Sequence, residues 1–283
     1  MIVKTLPAEH ARWHTRLPSP ILLPMTNKPG SFCWVELGTT DQNAAKSFYG
    51  SLFGWQFEDH PMGPSGVYTI FKLNGREVAA GYKLNAEQAQ HGVPPHWMLY
   101  IAAGSADGKA ARVKELGGKI EAGPFDVMDF GRMAVAQDPT GAYFSIWQEK
   151  ASHNNPIFNA DGALCWADLN TPDPEKARRF YADLFGWKMN DDTDDDPPSG
   201  YIHIQNGEDF IGGIPPVKFN NPRTPPHWLL HFQVSDVDAT AAKAKQSGAR
   251  FYLEPMSMEN VGRLAVLTDP QGAAFAIFKS ARK

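Results

Sequence analysis

The strongest constraint on this chain is that it writes nearly the same sentence twice. "CWVELGTTDQNAAKSFYGSLFGW" begins at Cys33, and "CWADLNTPDPEKARRFYADLFGW" begins 132 positions later, at Cys165. Between Glu36–Trp55 and Asp168–Trp187, 10 of 20 positions are identical. Two further blocks recur at a spacing of 131: "PPHW" at Pro94–Trp97 and Pro225–Trp228, and "GRMAVAQDPTGAYFSIW" (Gly131–Trp147) against "GRLAVLTDPQGAAFAIF" (Gly262–Phe278). Blocks kept in one order with one net deletion mean duplication of a whole domain, not a short solenoid unit. The domains are expected at 30–150 and 158–283, joined by "KASHNNPIFNADG". Residues 1–29 form an N-terminal extension with no counterpart in the second half, and Met25, directly before the repeat, is an alternative start.

Each domain itself reads as two halves. The first opens with a short apolar strand, Phe32–Leu37. Thr40 or Asp41 can cap a helix on which Ala45, Phe48, Tyr49 and Leu52 recur at helical spacing, and Gly54 can close it. Asp173, Ala177, Phe180, Tyr181, Leu184 and Gly186 repeat that pattern. Strands "VYTIFKL" and "YIHIQN" follow. The second half restarts with "HWMLYIAA" or "HWLLHFQV", continues as a glycine-closed helix, and ends in strands turned by "DPTG" or "DPQG", both suited to a type I turn. Strand, helix, then several strands occurs four times. The expected class is α+β, with helices on one face of antiparallel sheets.

Strand alternation sorts the side chains by face. Cys33, Val35 and Leu37 are expected under the helix, leaving Trp34 and Glu36 opposite. Cys165, Ala167 and Leu169 are sorted against Trp166 and Asp168 in the same way. On the later strand Trp228, Leu230, Phe232 and Val234 form the core set and Leu229, His231 and Gln233 the other, with Met98, Tyr100 and Ala102 as the partner set in domain one. A face mixing large aromatics with a few polar groups suits a small-molecule cleft; a domain or dimer contact also favours aromatics. The ligand-binding candidates are Trp34, Glu36, Tyr100, Trp166, Asp168 and His231, with Trp166 partly accessible beside Asp168 and His231.

The formal net charge of −4 gives no reason to expect nucleic acid or an anionic membrane as partner. No apolar run approaches the roughly 18 residues a membrane helix needs. Two cysteines are too few for a disulfide framework, so a cytoplasmic protein is expected. Cys33 and Cys165 read as small buried apolar residues. The acidic run Asn190–Gly200 lacks the glycine and final glutamate of an EF-hand loop and reads as a solvated loop. His96 and His227 read as caps of loop hydrogen bonds. Arg132 and Arg263 read as partners in structural salt bridges, to Glu36 or Asp168.

The strand endings "ELGTTD" and "DLNTPD", the helix ends "FYGSLFGW" and "FYADLFGW", and the hairpins "DPTGAYFSIW" and "DPQGAAFAIF" resemble the vicinal oxygen chelate superfamily of glyoxalases, bleomycin-resistance proteins and extradiol dioxygenases. The resemblance covers residues 30 to 283. It implies paired βαβββ modules whose sheets curve around a cleft, where active members hold a divalent metal with His, Gln and Glu. The matching positions here are Trp34 and Trp166, Met98 and Leu229, and Ser145 and Ala276, none of which suits such a cation. Shifting the site by two residues gives Glu36, Tyr100 and Trp147 in domain one, and Asp168, His231 and Phe278 in domain two. No cofactor is therefore expected. The expected function is a metal-independent binder of a small, partly apolar molecule, as monomer or homodimer. The alternatives are a metal-dependent glyoxalase-like lyase or dioxygenase with a displaced metal, and a scaffold with closed clefts.

Overall fold

The structure, a computed structural model, describes residues 28–150, 156–191, 200–220 and 224–281. The alternative start at Met25 and most of the acidic run lie outside the described residues.

The first module runs β1 (Phe32–Thr39), α1 (Gln42–Phe53), β2 (Gln56–Pro61), β3 (Val67–Leu73) and β4 (Arg76–Lys83). A short helix, α2 (Ala86–Gln90), leads into the second: β5 (His96–Ala102), α3 (Ala106–Glu115), β6 (Lys119–Val127), β7 (Gly131–Gln137) and β8 (Tyr143–Glu149). The second domain repeats this as β9 (Leu164–Asn170), α4 (Pro174–Phe185), β10 (Lys188–Asp191), β11 (Ile202–Asn206) and β12 (Asp209–Ile214), then β13 (His227–Gln233), α5 (Val237–Gln246), β14 (Arg250–Met258), β15 (Gly262–Thr268) and β16 (Ala274–Ser280). The helix boundaries follow from local chemistry. The Asp41 and Asp173 side chains accept from the Ala44 and Lys176 amides at 3.0 Å, and Gly54 and Gly186 close the helices at φ 73° and 75°, a region that favours glycine.

Each domain is one eight-stranded sheet, ordered β2-β3-β4-β1-β5-β8-β7-β6 and β10-β11-β12-β9-β13-β16-β15-β14. The sheets are mixed, which corrects the antiparallel expectation. Each helix carries the chain back, so the last strand of a module runs parallel beside its first: β4 beside β1, β8 beside β5, β12 beside β9 and β16 beside β13. The modules join where β1 lies antiparallel to β5 and β9 to β13.

A second correction concerns the start of β1 and β9. The register shifts between Phe32 and Trp34 on β1, and opposite His231 and Phe232 on β9. Such a bulge turns the extra residue out of simple alternation. Phe32 and Leu164 therefore join the core cluster where Cys33 and Cys165 were expected, although Cys165 is buried as the sequence suggested and Cys33 is half-buried. The thiols donate instead to the carbonyls of Tyr100 and His231, and burial pushes both well above the ordinary range. Beyond the bulge, alternation holds: Val35, Leu37, Ala167, Leu169, Trp228, Leu230, Phe232 and Val234 all join the core.

That core is continuous across the two domains, because the helix-bearing faces of both sheets pack on each other. Phe53 of α1 packs tilted against Phe232 of β13, with centroids 5.4 Å apart, and Phe180 and Tyr181 of α4 meet Phe144 of β8 at 6.2 and 5.5 Å. The Tyr49 hydroxyl donates to Asp269 and the Tyr181 hydroxyl to Asp138, both at 3.1 Å. The indoles of Trp55 and Trp187 donate to the Gly162 and Gly30 carbonyls, both at 2.8 Å. The duplicated aromatic helix end is thus the glue between domains, each copy docking into the other half. The helix-free faces of the sheets are left pointing away from one another.

Candidate functional site

On the helix-free face of the first sheet, β1 presents Trp34 and Glu36. The Tyr100 hydroxyl of β5 donates to Glu36 Oε2 at 2.8 Å. The Tyr68 hydroxyl of β3 lies against the same carboxylate and against the Trp34 indole. Tyr82 of β4 is near enough for the Glu36 charge to raise it, after the larger effect of its own burial, and the Trp147 ring of β8 meets Tyr100 edge-on at 6.4 Å. Burial raises the Glu36 carboxyl above its ordinary range, and the two tyrosine hydroxyls only partly oppose this. Trp34, Glu36, Tyr68, Tyr82, Met98 and Trp147 all keep partial solvent exposure. Ser145, level with Tyr100 on β8, is fully buried, and its hydroxyl has no hydrogen-bond partner.

The second sheet carries the same design in different chemistry. The Trp166 indole donates to Asp168 Oδ1 at 2.9 Å, and the Tyr201 hydroxyl donates to the same oxygen at 2.6 Å. His231 Nε2 stands 3.2 Å from the other oxygen, Oδ2, but is not aligned for a hydrogen bond, so this buried nitrogen has no bonded partner. The rings of Trp166 and Tyr201 pack around His203 at 6.4 and 4.9 Å.

Strand register decides which residues stand level. Trp34, Tyr100 and Ser145 share one row, and Trp166, His231 and Ala276 the matching one. Met98 and Leu229 face Glu36 and Asp168 instead, so they do not stand level with Trp34 and Trp166. All six candidates are thus gathered three to a sheet: Trp34, Glu36 and Tyr100; Trp166, Asp168 and His231. The expected accessibility of Trp166 is not found. It is 8% exposed, because its indole is turned into the Asp168–Tyr201 pair. Sequence reasoning missed Tyr68 and Tyr201, which complete both clusters. The available signal was parity: they alternate with Phe71 and Ile204, which enter the core.

The remaining candidates are structural. His96 and His227 bond the Pro94 and Pro225 carbonyls at 2.8 and 2.9 Å, capping their loops as expected. Arg132 pairs with Asp107 and Asp126, and Arg263 with Asp238. Glu36 and Asp168 are not their partners, because both arginines sit at strand starts beside the helices α3 and α5, whose first turns supply the carboxylates.

Four βαβββ modules paired into two sheets define the fold class, and comparison with known proteins defines the family. The family model described as "Glyoxalase/Bleomycin resistance protein/Dioxygenase superfamily" matches residues 31–146 and 163–277. The chain belongs to that superfamily. It is 40% identical over 257 residues to "Putative glyoxylase CFP32" of Mycobacterium tuberculosis, covering 90% of this chain and 96% of that one. It is 32% identical over 259 residues to "Anthracycline biosynthesis protein DnrV" of Streptomyces peucetius, covering 88% and 93%. Among solved structures, the Mn(II)-bound glyoxalase of Novosphingobium aromaticivorans superposes with a TM-score of 0.59 at 16% identity, covering 88% of this chain and 82% of that one.

A divalent metal of the kind held by that glyoxalase needs about three protein donors drawn from His, Cys and carboxylates. Among the described residues no group of three such side chains comes together. Glu36 is surrounded by phenols and indoles, the row through His231 continues into Trp166 and Ala276, and Asp168 stands level with Leu229. The described residues of these clusters do not fit the metal.

Proposed function

We propose that this protein binds a small, partly apolar molecule on the helix-free face of its sheets, with Glu36 and Asp168 as polar anchors in place of a metal. The observation that carries this reading is the pair of buried, unbonded polar atoms on faces lined by aromatic side chains: Ser145 Oγ, level with the Tyr100 that donates to Glu36, and His231 Nε2, 3.2 Å from Asp168. A buried polar atom without a partner costs about 1–3 kcal/mol, and a ligand hydroxyl or carbonyl would supply the missing bond. The aromatic lining favours planar molecules, in keeping with a relative named for the biosynthesis of anthracyclines, which are fused-ring aromatics. The test is a thermal-shift screen of planar hydroxyaromatics and aliphatic alcohols, repeated with Trp34→Ala. Selective stabilisation by planar compounds that is lost in the variant supports the reading; equal or absent shifts for both classes refute it.

The metal-dependent glyoxalase-like alternative has one observation in its favour, the 3.2 Å approach of His231 to Asp168. Metal quantification on protein purified without chelators separates the two. A stoichiometric, dialysis-resistant divalent ion that is lost on His231→Ala would replace the metal-free reading.

A further inference from the structure

The two sites differ in how the carboxylate charge is answered. Asp168 has His231 at 3.2 Å. Glu36 has no basic partner among the described residues; its neighbours are the hydroxyls of Tyr68 and Tyr100. Those two donors leave part of a carboxylate's roughly four acceptor positions free. Around them stand five aromatic side chains from five strands: Trp34, Tyr68, Tyr82, Tyr100 and Trp147. Four of these five keep partial exposure, whereas in the second sheet Trp166, Leu229 and His231 are buried. Ring faces carry negative potential, and a cation over several rings beside a carboxylate gains from both.

Resting on the reading that this face binds small molecules, we propose that the Glu36 site of the first sheet is an aromatic cage for an organic cation, a quaternary or protonated alkylamine. The fully buried, unpartnered Ser145 hydroxyl beside Tyr100 would accept or donate a hydrogen bond to a polar group two or three atoms from that nitrogen. The Asp168 site, whose charge His231 already faces, has no such preference.

A matched pair of probes isolates the charge: choline, and 3,3-dimethylbutan-1-ol, which replaces its nitrogen by carbon at nearly constant shape. Affinities are measured by calorimetry in an amine-free phosphate buffer, on the full chain, with Glu36→Gln, Asp168→Asn and, as control, Glu58→Gln at an exposed carboxylate outside both clusters compared. We expect choline to bind at least tenfold more tightly than the alcohol, Glu36→Gln to abolish that difference, and Glu58→Gln to leave it intact. Equal affinity of the two probes for the unsubstituted protein overturns the cage, even if Glu36→Gln proves unstable, and leaves the small-molecule reading standing. Charge selectivity that follows Asp168 instead also overturns it. Failure of either probe to bind, together with a blank thermal-shift screen, removes both readings.

Discussion

Glu36 and Asp168 occupy the same place in two copies of one strand, yet their surroundings give them different properties. Glu36 is half-buried with Tyr68, Tyr82 and Tyr100 facing it, and that burial raises its carboxyl above the ordinary 4.5. A carboxyl raised on folding contributes stability that is present below pH 4.5 and is lost as pH climbs through the higher folded value. Gln copies the protonated form at every pH. Glu36→Gln should therefore match the parent in Tm near pH 4 and exceed it by a few °C at pH 7, each unit of raised pKa being worth about 1.4 kcal/mol. Thermal unfolding at both pH values checks this, and a constant difference would refute it. In the second sheet the sensitive position is Gly213, because a Cβ there would fall on the ring and hydroxyl of Tyr201. Gly213→Ala should push Tyr201 off Asp168 and cost about 1–3 kcal/mol, as overpacking does. Denaturant titration measures it; a neutral result would mean Tyr201 has room to move.

At the scale of elements, the duplicated modules, the capped and glycine-closed helices and the identity of the core set were legible, because each rests on local periodicity or on side-chain chemistry within a few residues. The bulges at Cys33 and Cys165 were not, since one extra residue in a strand leaves no mark on its alternation until the partner strand is known. The partners of Arg132 and Arg263 were hidden for the same reason: Asp107 and Asp238 come from helices whose packing is a tertiary fact. In each cluster the Trp and carboxylate of the first strand, with Tyr100 or His231 beside them, were readable from alternation, whereas Tyr68 and Tyr201 required knowing that β3 and β11 lie two strands away from that strand in the same sheet. The hairpin aspartates carry more than the turn that sequence assigned to them. Asp269 Oδ1 accepts from the amides of Gln271, Gly272 and Ala273, while Oδ2 reaches Tyr49 of the other domain. Asp269→Asn keeps the turn acceptor and exchanges only the second oxygen, so it should cost less than Asp269→Ala, which loses both. The expected ordering is about 1 against 3 kcal/mol, read from urea midpoints; equal costs would mean the turn alone matters.

Across the whole molecule, the same two aspartates tie the halves together about an approximate two-fold. Trp97 donates to the Tyr49 hydroxyl at 3.0 Å and Tyr49 donates onward to Asp269; Trp228, Tyr181 and Asp138 repeat the relay in the opposite sense. All six side chains are buried. Removing one hydroxyl leaves an indole N–H and a carboxylate oxygen without partners in the shared core, so Tyr49→Phe should cost about 1–3 kcal/mol despite the loss of a single atom. Tyr181→Phe should cost a similar amount, and the two should add, because the relays share no residue. The decisive quantity is cooperativity. If the interface is as continuous as the packing of Phe53, Phe232 and Phe275 implies, neither half has a water-compatible surface once the other unfolds, and the chain should melt in one transition. Calorimetry should then give a van't Hoff enthalpy close to the calorimetric one for the parent and for both variants. Two resolved transitions in the parent would show that the halves are stable apart and that the relays only orient them.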